Sequence, residues 1–171
     1  MGIERPSYNL MQSRYEQYRL DSAPCKSPAI TNQCAVRMSL ALYRNGFTFE
    51  GFPHQRRIHS GRESCRLGDE PHIVGADELH RYLVQVWGNG QRIHGRSARS
   101  EIAGTKGIIY FNNCFHRSTD PDGENRGDHI DLWNGDNYYN ELLRVSAGGS
   151  ARVGSDLFEA ASFVRFFALP A

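Results

Sequence analysis

The chain has 171 residues, enough for one domain with a sizeable hydrophobic core, so we treat residues 1–171 as a single domain. Its 20 lysines and arginines nearly balance its 19 aspartates and glutamates, and a formal charge of +1 argues against a nucleic-acid or acidic-membrane partner. The start of the chain lacks the pattern of a signal peptide, and no apolar run approaches the roughly 18 residues of a membrane span, so we expect no membrane insertion.

Two helices are predicted in the first 45 residues. After Pro6, four large side chains at helical spacing predict an amphipathic helix: Tyr8, Met11, Tyr15 and Tyr18. A second helix is predicted from Gln33 to Asn45, since Asn32 is a favoured N-cap and Gly46 a favoured stop. Apolar side chains cover most of its circumference, so it belongs in the interior.

The first turn of this second helix contains a thiol, Cys34. Unpaired N–H groups and the positive end of the helix dipole favour the thiolate form there, which makes Cys34 a candidate nucleophile. A structural interpretation stands beside the catalytic one, because a single cysteine near a helix start is more often a packed core residue.

The middle of the chain is less regular. Residues 46–74 are rich in Gly, Pro, His and Arg and predict irregular structure, with a short strand near Phe47 to Phe52. Gly75 then leads into a third helix that stops at Gly88.

The second half of the chain is dominated by β-strand patterns. The predicted elements, in order, are a strand at 107–111, a polar loop at 112–127, a strand at 129–133, a turn at Asn134-Gly135, a return strand at 136–143 and a last strand at 161–169. Helices followed by an antiparallel sheet predict an α+β fold.

The predicted hairpin places polar side chains together. A two-residue turn at Asn134-Gly135 would set His129 directly opposite Asn140, and strand alternation puts Asp131 on the same face as His129. A histidine beside a residue that orients it is a candidate general base, whereas a solvent-facing strand edge would explain the same polar residues without any function. Together with Cys34, this arrangement is typical of cysteine-dependent acyl transfer, in which first-turn N–H groups stabilise the oxyanion.

Four cysteines, at positions 25, 34, 65 and 114, are spread singly along the chain. This spacing does not fit a zinc ribbon, and we expect neither a metal nor another cofactor. In an oxidising compartment Cys25 and Cys65 are the favoured pair for one disulfide, although spacing alone does not fix the connectivity.

Several segments resemble a known family. The stretches RPSY, NQCAVRMSLAL, VGADELHRYL, GTKGIIYF and GDHIDLWNG are similar, in order and spacing, to the amidase effectors of bacterial type VI secretion, fourth subfamily. The resemblance implies a papain-like, NlpC/P60-type cysteine peptidase fold, with a central N-terminal helix packed on an antiparallel sheet. It also implies a DL-endopeptidase that cleaves peptidoglycan stem peptides between D-glutamate and meso-diaminopimelate.

Further expectations come from the same resemblance. The protein would be loaded into the type VI apparatus without a signal peptide, act in the periplasm of a rival bacterium, and be neutralised in the producing cell by a cognate immunity protein. Cys34 would be the nucleophile and His129 the base. The family places an aspartate near the position of Asn140, so this chain departs from the pattern, and the third role stays open between Asn140 and Asp131.

Two other functions compete with the amidase. A papain-like acyl-chain hydrolase or thioesterase would use the same Cys34 and His129 but would need an extended apolar groove. A non-enzymatic cell-wall binding module would have an inert Cys34. The charged loop at 112–127 favours a peptide substrate over an acyl chain.

Overall fold

The computed structural model describes residues 3–19, 24–25, 27, 30, 32–49, 58–59, 70–117, 119–139 and 156–171. The chain forms two compact units, one of residues 1–88 with 170–171 and one of residues 89–169. Helices and an antiparallel sheet are both present, which confirms the predicted α+β class. No described helix is both long enough and apolar enough to cross a membrane.

Three helices form most of the described part of the first unit: α1 (Tyr8–Arg19), α2 (Cys34–Arg44) and α3 (Ala76–Trp87). The four large side chains that predicted α1 are all buried. Eight of the eleven residues of α2 are buried, as the apolar pattern predicted for an interior helix. The end of α3 at Gly88 is also confirmed, and the φ of +80° there suits a residue without a Cβ.

The segment between α2 and α3 differs from the prediction. Residues 47–49 form no strand, and Phe49 has a φ of +58°, which extended pairing does not permit. A short antiparallel pair that was not predicted joins β1 (Ile58–His59) to β2 (His72–Ile73). The remainder of the predicted strand, residues 50–52, lies outside the described residues.

A buried hydroxyl connects α2 to β2. Ser39 Oγ accepts from the backbone N–H of Ile73 at 2.9 Å and lies 3.2 Å from the carbonyl oxygen of the same residue. Buried backbone groups need such partners, and a strand of two residues has few others. Ser39 thereby fixes the position of β2 against the middle of α2.

The second unit contains four strands and two short helices in its described part: β3 (Gln91–Ile93), α4 (Gly95–Glu101), β4 (Gly107–Phe115), β5 (Gly127–Trp133), α5 (Leu157–Ala160) and β6 (Phe163–Ala168). The strands form one antiparallel sheet in the order β3-β6-β4-β5. One face of this sheet packs against α4 and α5 in a buried apolar cluster that includes Ile109, Trp133 and Phe158.

The hairpin after β5 does not have the predicted two-residue turn. Trp133 pairs with Tyr138, and the N–H of Asn134 donates to the carbonyl of Asn137 at 3.1 Å, so the connection contains four residues. Of the predicted return strand, residues 136–139 are described, and they contain a single bridge at Tyr138, with Tyr139 already helical. Residues 140–143 lie outside the described residues.

The physical reason for the longer turn lies in the side chain of Asn134. Its Oδ1 accepts from the backbone N–H groups of Asp136 (2.9 Å) and Asn137 (2.8 Å), which closes the loop locally. A two-residue turn of the predicted type needs a positive φ at both central residues, but only Gly135 has one (+105°). The predicted two-residue turn, and with it the register at Trp133, was therefore wrong, whereas Asn140, the predicted partner of His129, lies outside the described residues.

Candidate active site

The thiol of Cys34 lies at the first residue of α2, one position later than the predicted helix start. Cys34 is buried, with 3% of its surface exposed. Its backbone N–H donates to Asn32 Oδ1 at 3.2 Å, so Asn32 satisfies one of the helix's unpaired N–H groups, as predicted. The structure therefore confirms a cysteine in the first turn of an interior helix.

The residue before the thiol has a role that the sequence did not reveal. The side chain of Gln33 is buried and makes three hydrogen bonds to the preceding connector. Its Oε1 accepts from the N–H of Cys25 at 3.1 Å, while its Nε2 donates to the carbonyls of Cys25 at 3.0 Å and Ile30 at 2.7 Å. Gln33 thereby ties the connector to the start of α2, beside Cys34.

The candidate base and one candidate orienting residue lie together on β5. His129 Nε2 is 3.3 Å from Asp131 Oδ2, and the second oxygen, Oδ1, accepts from the N–H of Leu132 at 2.8 Å. Asp131 is fully buried, at 0% exposure. The shared face is therefore confirmed for these two residues, and the interpretation of a solvent-facing edge is wrong for Asp131.

Two aromatic side chains hold the His129 ring from other elements. Phe111, its partner on β4, has its ring centroid 6.2 Å from the imidazole, and Tyr138 lies at 6.3 Å in an edge-on arrangement. Phe111 and Tyr138 also contact each other, at 5.4 Å. These contacts restrict the ring to one orientation, which is what a general base requires.

A β-bulge lies next to the base. The ladder between β4 and β5 shifts register after Phe111, and Asn113 has a φ of +51°. Asp128 stabilises this bulge, because its Oδ1 accepts from the backbone N–H of Asn113 at 2.9 Å and from Asn112 Nδ2 at 3.2 Å. Bulges re-aim side chains beside active sites, and this one immediately precedes His129. In the sequence, the side chains that support the bulge and the candidate base appear as an Asp-His-x-Asp pattern at residues 128–131.

The structure places the remaining predicted residues as follows. Cys34 belongs to the first compact unit, and His129 and Asp131 belong to the second. Asn140 lies outside the described residues, and so does Cys65, with the predicted Cys25–Cys65 disulfide. Within the described ranges, no group of three or more His, Cys, Asp or Glu residues could hold a metal ion.

The loop between β4 and β5 is ordered around one carboxylate. β4 continues to Phe115, four residues beyond its predicted end, which shortens the predicted loop. Asp120 Oδ2 accepts from the backbone N–H groups of Arg117 (2.9 Å) and Arg126 (3.0 Å), and its Oδ1 pairs with Arg117 Nε at 3.0 Å. Desolvation acts to raise the pKa of Asp120, but the two backbone hydrogen bonds and the Arg117 contact outweigh it, and the pKa is lowered overall.

Solved structures share this fold. The effector Tae4 from the effector–immunity system Tae4/Tai4 of Salmonella typhimurium is 20% identical, with 98% of this chain and 100% of that chain covered and a TM-score of 0.70. The type VI effector Tae4 from Enterobacter cloacae is 17% identical, with 99% of each chain covered and a TM-score of 0.63. The Salmonella typhimurium effector in complex with the immunity protein Tai4 from Enterobacter cloacae is 18% identical over 98% and 100%, with a TM-score of 0.63.

The comparison with protein families is specific. No curated protein sequence matches the chain. The family described as "Type VI secretion system (T6SS), amidase effector protein 4" matches residues 30–167, a span that contains Cys34, His129 and Asp131. The chain therefore belongs to the family of type VI secretion system amidase effector protein 4.

Proposed function

We propose that this amidase effector hydrolyses peptidoglycan stem peptides between D-glutamate and meso-diaminopimelate, with Cys34 as nucleophile and His129 as general base. The observation that carries the proposal is the 3.3 Å contact between His129 and the buried carboxylate of Asp131. An imidazole oriented by a carboxylate is the kind of base that activates the nucleophile of a nucleophilic hydrolase, which fits an amidase family.

The contact supports one assignment of the two imidazole nitrogens. A carboxylate in its ionised form only accepts hydrogen bonds, so in the proposed mechanism Nε2 carries the proton that points to Asp131. Nδ1 then presents its lone pair, and it is the atom that would remove the proton from Cys34. The charge of Asp131 stabilises the imidazolium that results.

The reaction then has two stages. The Cys34 thiolate attacks the amide carbonyl to give a tetrahedral intermediate, which collapses as the protonated His129 donates its proton to the departing amine of diaminopimelate. A water molecule, deprotonated by His129, hydrolyses the resulting thioester. This second step releases the carboxyl product and restores the thiol.

The start of α2 supplies donors for the intermediate. First-turn N–H groups carry partial positive charge, and the N–H of Cys34 donates a hydrogen bond to Asn32 Oδ1. An oxyanion accepts a stronger hydrogen bond than a neutral amide oxygen, so the intermediate would replace Asn32 at this N–H. Asn32 thus keeps the donor satisfied until charge develops.

Asp131 is our proposed third residue. Its contact with His129 is made within one strand, whereas Asn140, the alternative, lies outside the described residues. The usual aspartate of the family near position 140 would then be replaced in function by Asp131.

The cellular setting follows from the family. Type VI secretion delivers the protein, and we propose that the protein acts on the cell wall from the periplasm of the target bacterium. We also propose that its fold is papain-like and of the NlpC/P60 type. Solved Tae4–Tai4 complexes support a cognate immunity protein as a partner, and we propose that it protects the producing cell.

Digestion of purified sacculi tests the proposal. Wild-type protein should release fragments whose masses correspond to cleavage between D-glutamate and diaminopimelate, and Cys34→Ala should release none. Cys114→Ala is the matched control, because Cys114 is equally buried, at 3% exposure, but lies in the apolar cluster of the second unit. Release of the same fragments by folded Cys34→Ala protein would refute the mechanism.

A further inference from the structure

Two arginines lie directly opposite each other on adjacent strands of the second unit. The register of β3 and β6 pairs Arg92 with Arg165. Like charges in this position destabilise an antiparallel sheet, because their side chains leave the same face at close range. Such a pair therefore calls for a compensating group.

The described part of the chain supplies no carboxylate to either arginine. A guanidinium nitrogen of Arg165 donates to the backbone carbonyl of Asn89, while its Nε is buried without a hydrogen-bond partner. The Arg92 guanidinium lies 4.3 Å from the ring centroid of Phe163. Both cations are held in place by uncharged groups, and their charge is left uncompensated.

The pKa of Arg165 reflects this environment. Desolvation, first, and the positive charge of Arg92, second, lower the pKa of Arg165 below its ordinary value, while Tyr110 acts in the opposite direction. A bound anion would offset the repulsion between the two guanidinium groups, so the pair is suited to hold one.

Aromatic rings form the rest of this site. Tyr110 pairs with Arg165 on the adjacent strand β4, and the Tyr110 and Phe163 rings lie 6.1 Å apart. The Tyr110 hydroxyl is fixed by Asn112 Nδ2 at 3.2 Å. The Tyr110 ring is fully buried, at 0% exposure, so the accessible part of the site consists of the two guanidinium groups and the partly exposed ring of Phe163. These residues all lie within the second unit.

The site lies on the face of the sheet opposite the candidate base. Tyr110 pairs with Arg165, whereas the next residue of β4, Phe111, pairs with His129. Successive side chains of a strand leave opposite faces, so Arg165 and His129 leave the sheet on opposite sides. An anion bound by Arg165 is thus separate from the peptide at His129.

We propose that Arg92 and Arg165 bind a carboxylate of peptidoglycan at a second site, apart from the scissile peptide. This inference rests on the proposed function, in that it names the same polymer as ligand. Planar guanidinium groups match the two oxygens of a carboxylate, and the partly exposed ring of Phe163 suits the sugar beside it. Peptidoglycan repeats its carboxylates along the polymer, so contact at two points raises the effective concentration of substrate at the catalytic groups.

A polymer fits this site better than a folded protein partner. Two guanidinium groups and the Phe163 ring match one carboxylate and its neighbouring sugar, whereas a stable protein interface covers about 800 Å² on each side. An acidic protein surface is the competing ligand, and the experiment distinguishes it.

Sacculus binding by inactive protein provides the test. The parent is Cys34→Ala, the test variant adds Arg92→Gln and Arg165→Gln, and the matched control adds Arg81→Gln and Arg96→Gln, which removes the same charge elsewhere. Co-sedimentation with purified sacculi should show about 10-fold weaker binding for the test variant, since hydrogen bonds to charged groups contribute at this scale. The control should bind within about twofold of the parent, as expected for surface charges that contact no ligand.

Chemically modified sacculi identify the ligand group. Amidation of their carboxyl groups should weaken binding of the parent to the level of the test variant. Equal binding of test variant and parent to unmodified sacculi, or no binding by the parent, would overturn the inference. It would equally be overturned if the substitutions weakened binding to the immunity protein and left sacculus binding unchanged.

Two further measurements separate this inference from the proposed function. With Cys34 intact, the two arginine substitutions should slow digestion of sacculi but leave cleavage of a small soluble muropeptide unchanged. Failure of the proposed function would appear as wild-type protein that cleaves neither substrate, while sacculus binding would still be measurable.

Thermal unfolding checks that the test variant is folded, and this variant should be at least as stable as the parent. Arg92→Gln alone, at an exposed position, serves as a second variant.

Discussion

The start of α2 and the strand β5 hold their candidate catalytic side chains by different chemistry. Around Cys34 the supporting side chains are neutral amides, Asn32 and Gln33. Around His129 they are carboxylates, Asp128 and Asp131. The positions of the two catalytic groups therefore depend on different kinds of hydrogen bond.

The difference has a physical reason. An aspartate in place of Asn32 would cap the helix equally well, but its charge would oppose formation of the thiolate. At β5 the charge of Asp131 is useful in the proposed mechanism, because the imidazole would become positive during the reaction. The supporting side chains thus suit the charge that each candidate catalytic group would acquire.

The largest expected effect comes from removing the charge of Asp131, which contacts the candidate base His129. Asp131→Asn keeps the shape of the side chain but removes its charge, and it can donate to Nε2 and so reverse the tautomer of His129. We expect kcat to fall by about 100-fold or more with little change in KM. Steady-state kinetics on a defined muropeptide measure both constants.

Asn140→Ala is the companion to this measurement. If Asp131 is the orienting residue, Asn140→Ala should retain most of the activity. The opposite result, with activity lost in Asn140→Ala and kept in Asp131→Asn, would transfer the third role to Asn140.

A smaller effect is expected from the neutral support of the nucleophile. Gln33→Ala removes three hydrogen bonds and leaves buried backbone groups of Cys25 without their side-chain partner. We expect a loss of about 2 kcal/mol in the free energy of unfolding. Gln12→Ala is the control, because the Gln12 side chain donates to Glu16 on the exposed face of α1, at 3.1 Å, and its removal should cost less than about 0.5 kcal/mol. Equal losses in urea denaturation would show that Gln33 does not stabilise the start of α2.

The smallest expected effect concerns the pH dependence of the hydrogen bonds that Asp120 accepts in the second unit. Because the folded pKa of Asp120 is lowered, its contribution to stability is fully present above the unfolded value of about 3.9 and is lost as the pH falls through the folded value. The amide resonances of Arg117 and Arg126, which donate to Asp120, should therefore shift with a midpoint below about 3.9. Asp120→Asn should abolish this titration, and a midpoint above 3.9 in the wild type would contradict the assigned hydrogen bonds.

The sequence was sufficient wherever a local rule decides the structure. Helical periodicity located α1 and α3, and the capping preference of Asn32 placed Cys34 in the first turn of α2. Alternation along β5 correctly put His129 and Asp131 on one face. These inferences need only a helix or strand and no knowledge of its partners.

The failures have non-local or side-chain causes. The turn after Trp133 is set by the two bonds that Asn134 Oδ1 accepts, which its backbone preference does not reveal, and the predicted register failed with it. The burial of Asp131 depends on the cluster of residues that covers the sheet, and the pair β1–β2 depends on residues far apart in the sequence. Each required tertiary information that one sequence does not contain.

The position of His129 and Asp131 two residues apart on one strand has a consequence for folding. The spacing between the two side chains is set by the strand itself, so the imidazole acquires its hydrogen-bond partner as soon as β5 is extended beside β4. This hydrogen bond is local information, carried by the tripeptide His129-Ile-Asp131, whereas the ring contacts with Phe111 and Tyr138 form only once those residues pack beside it.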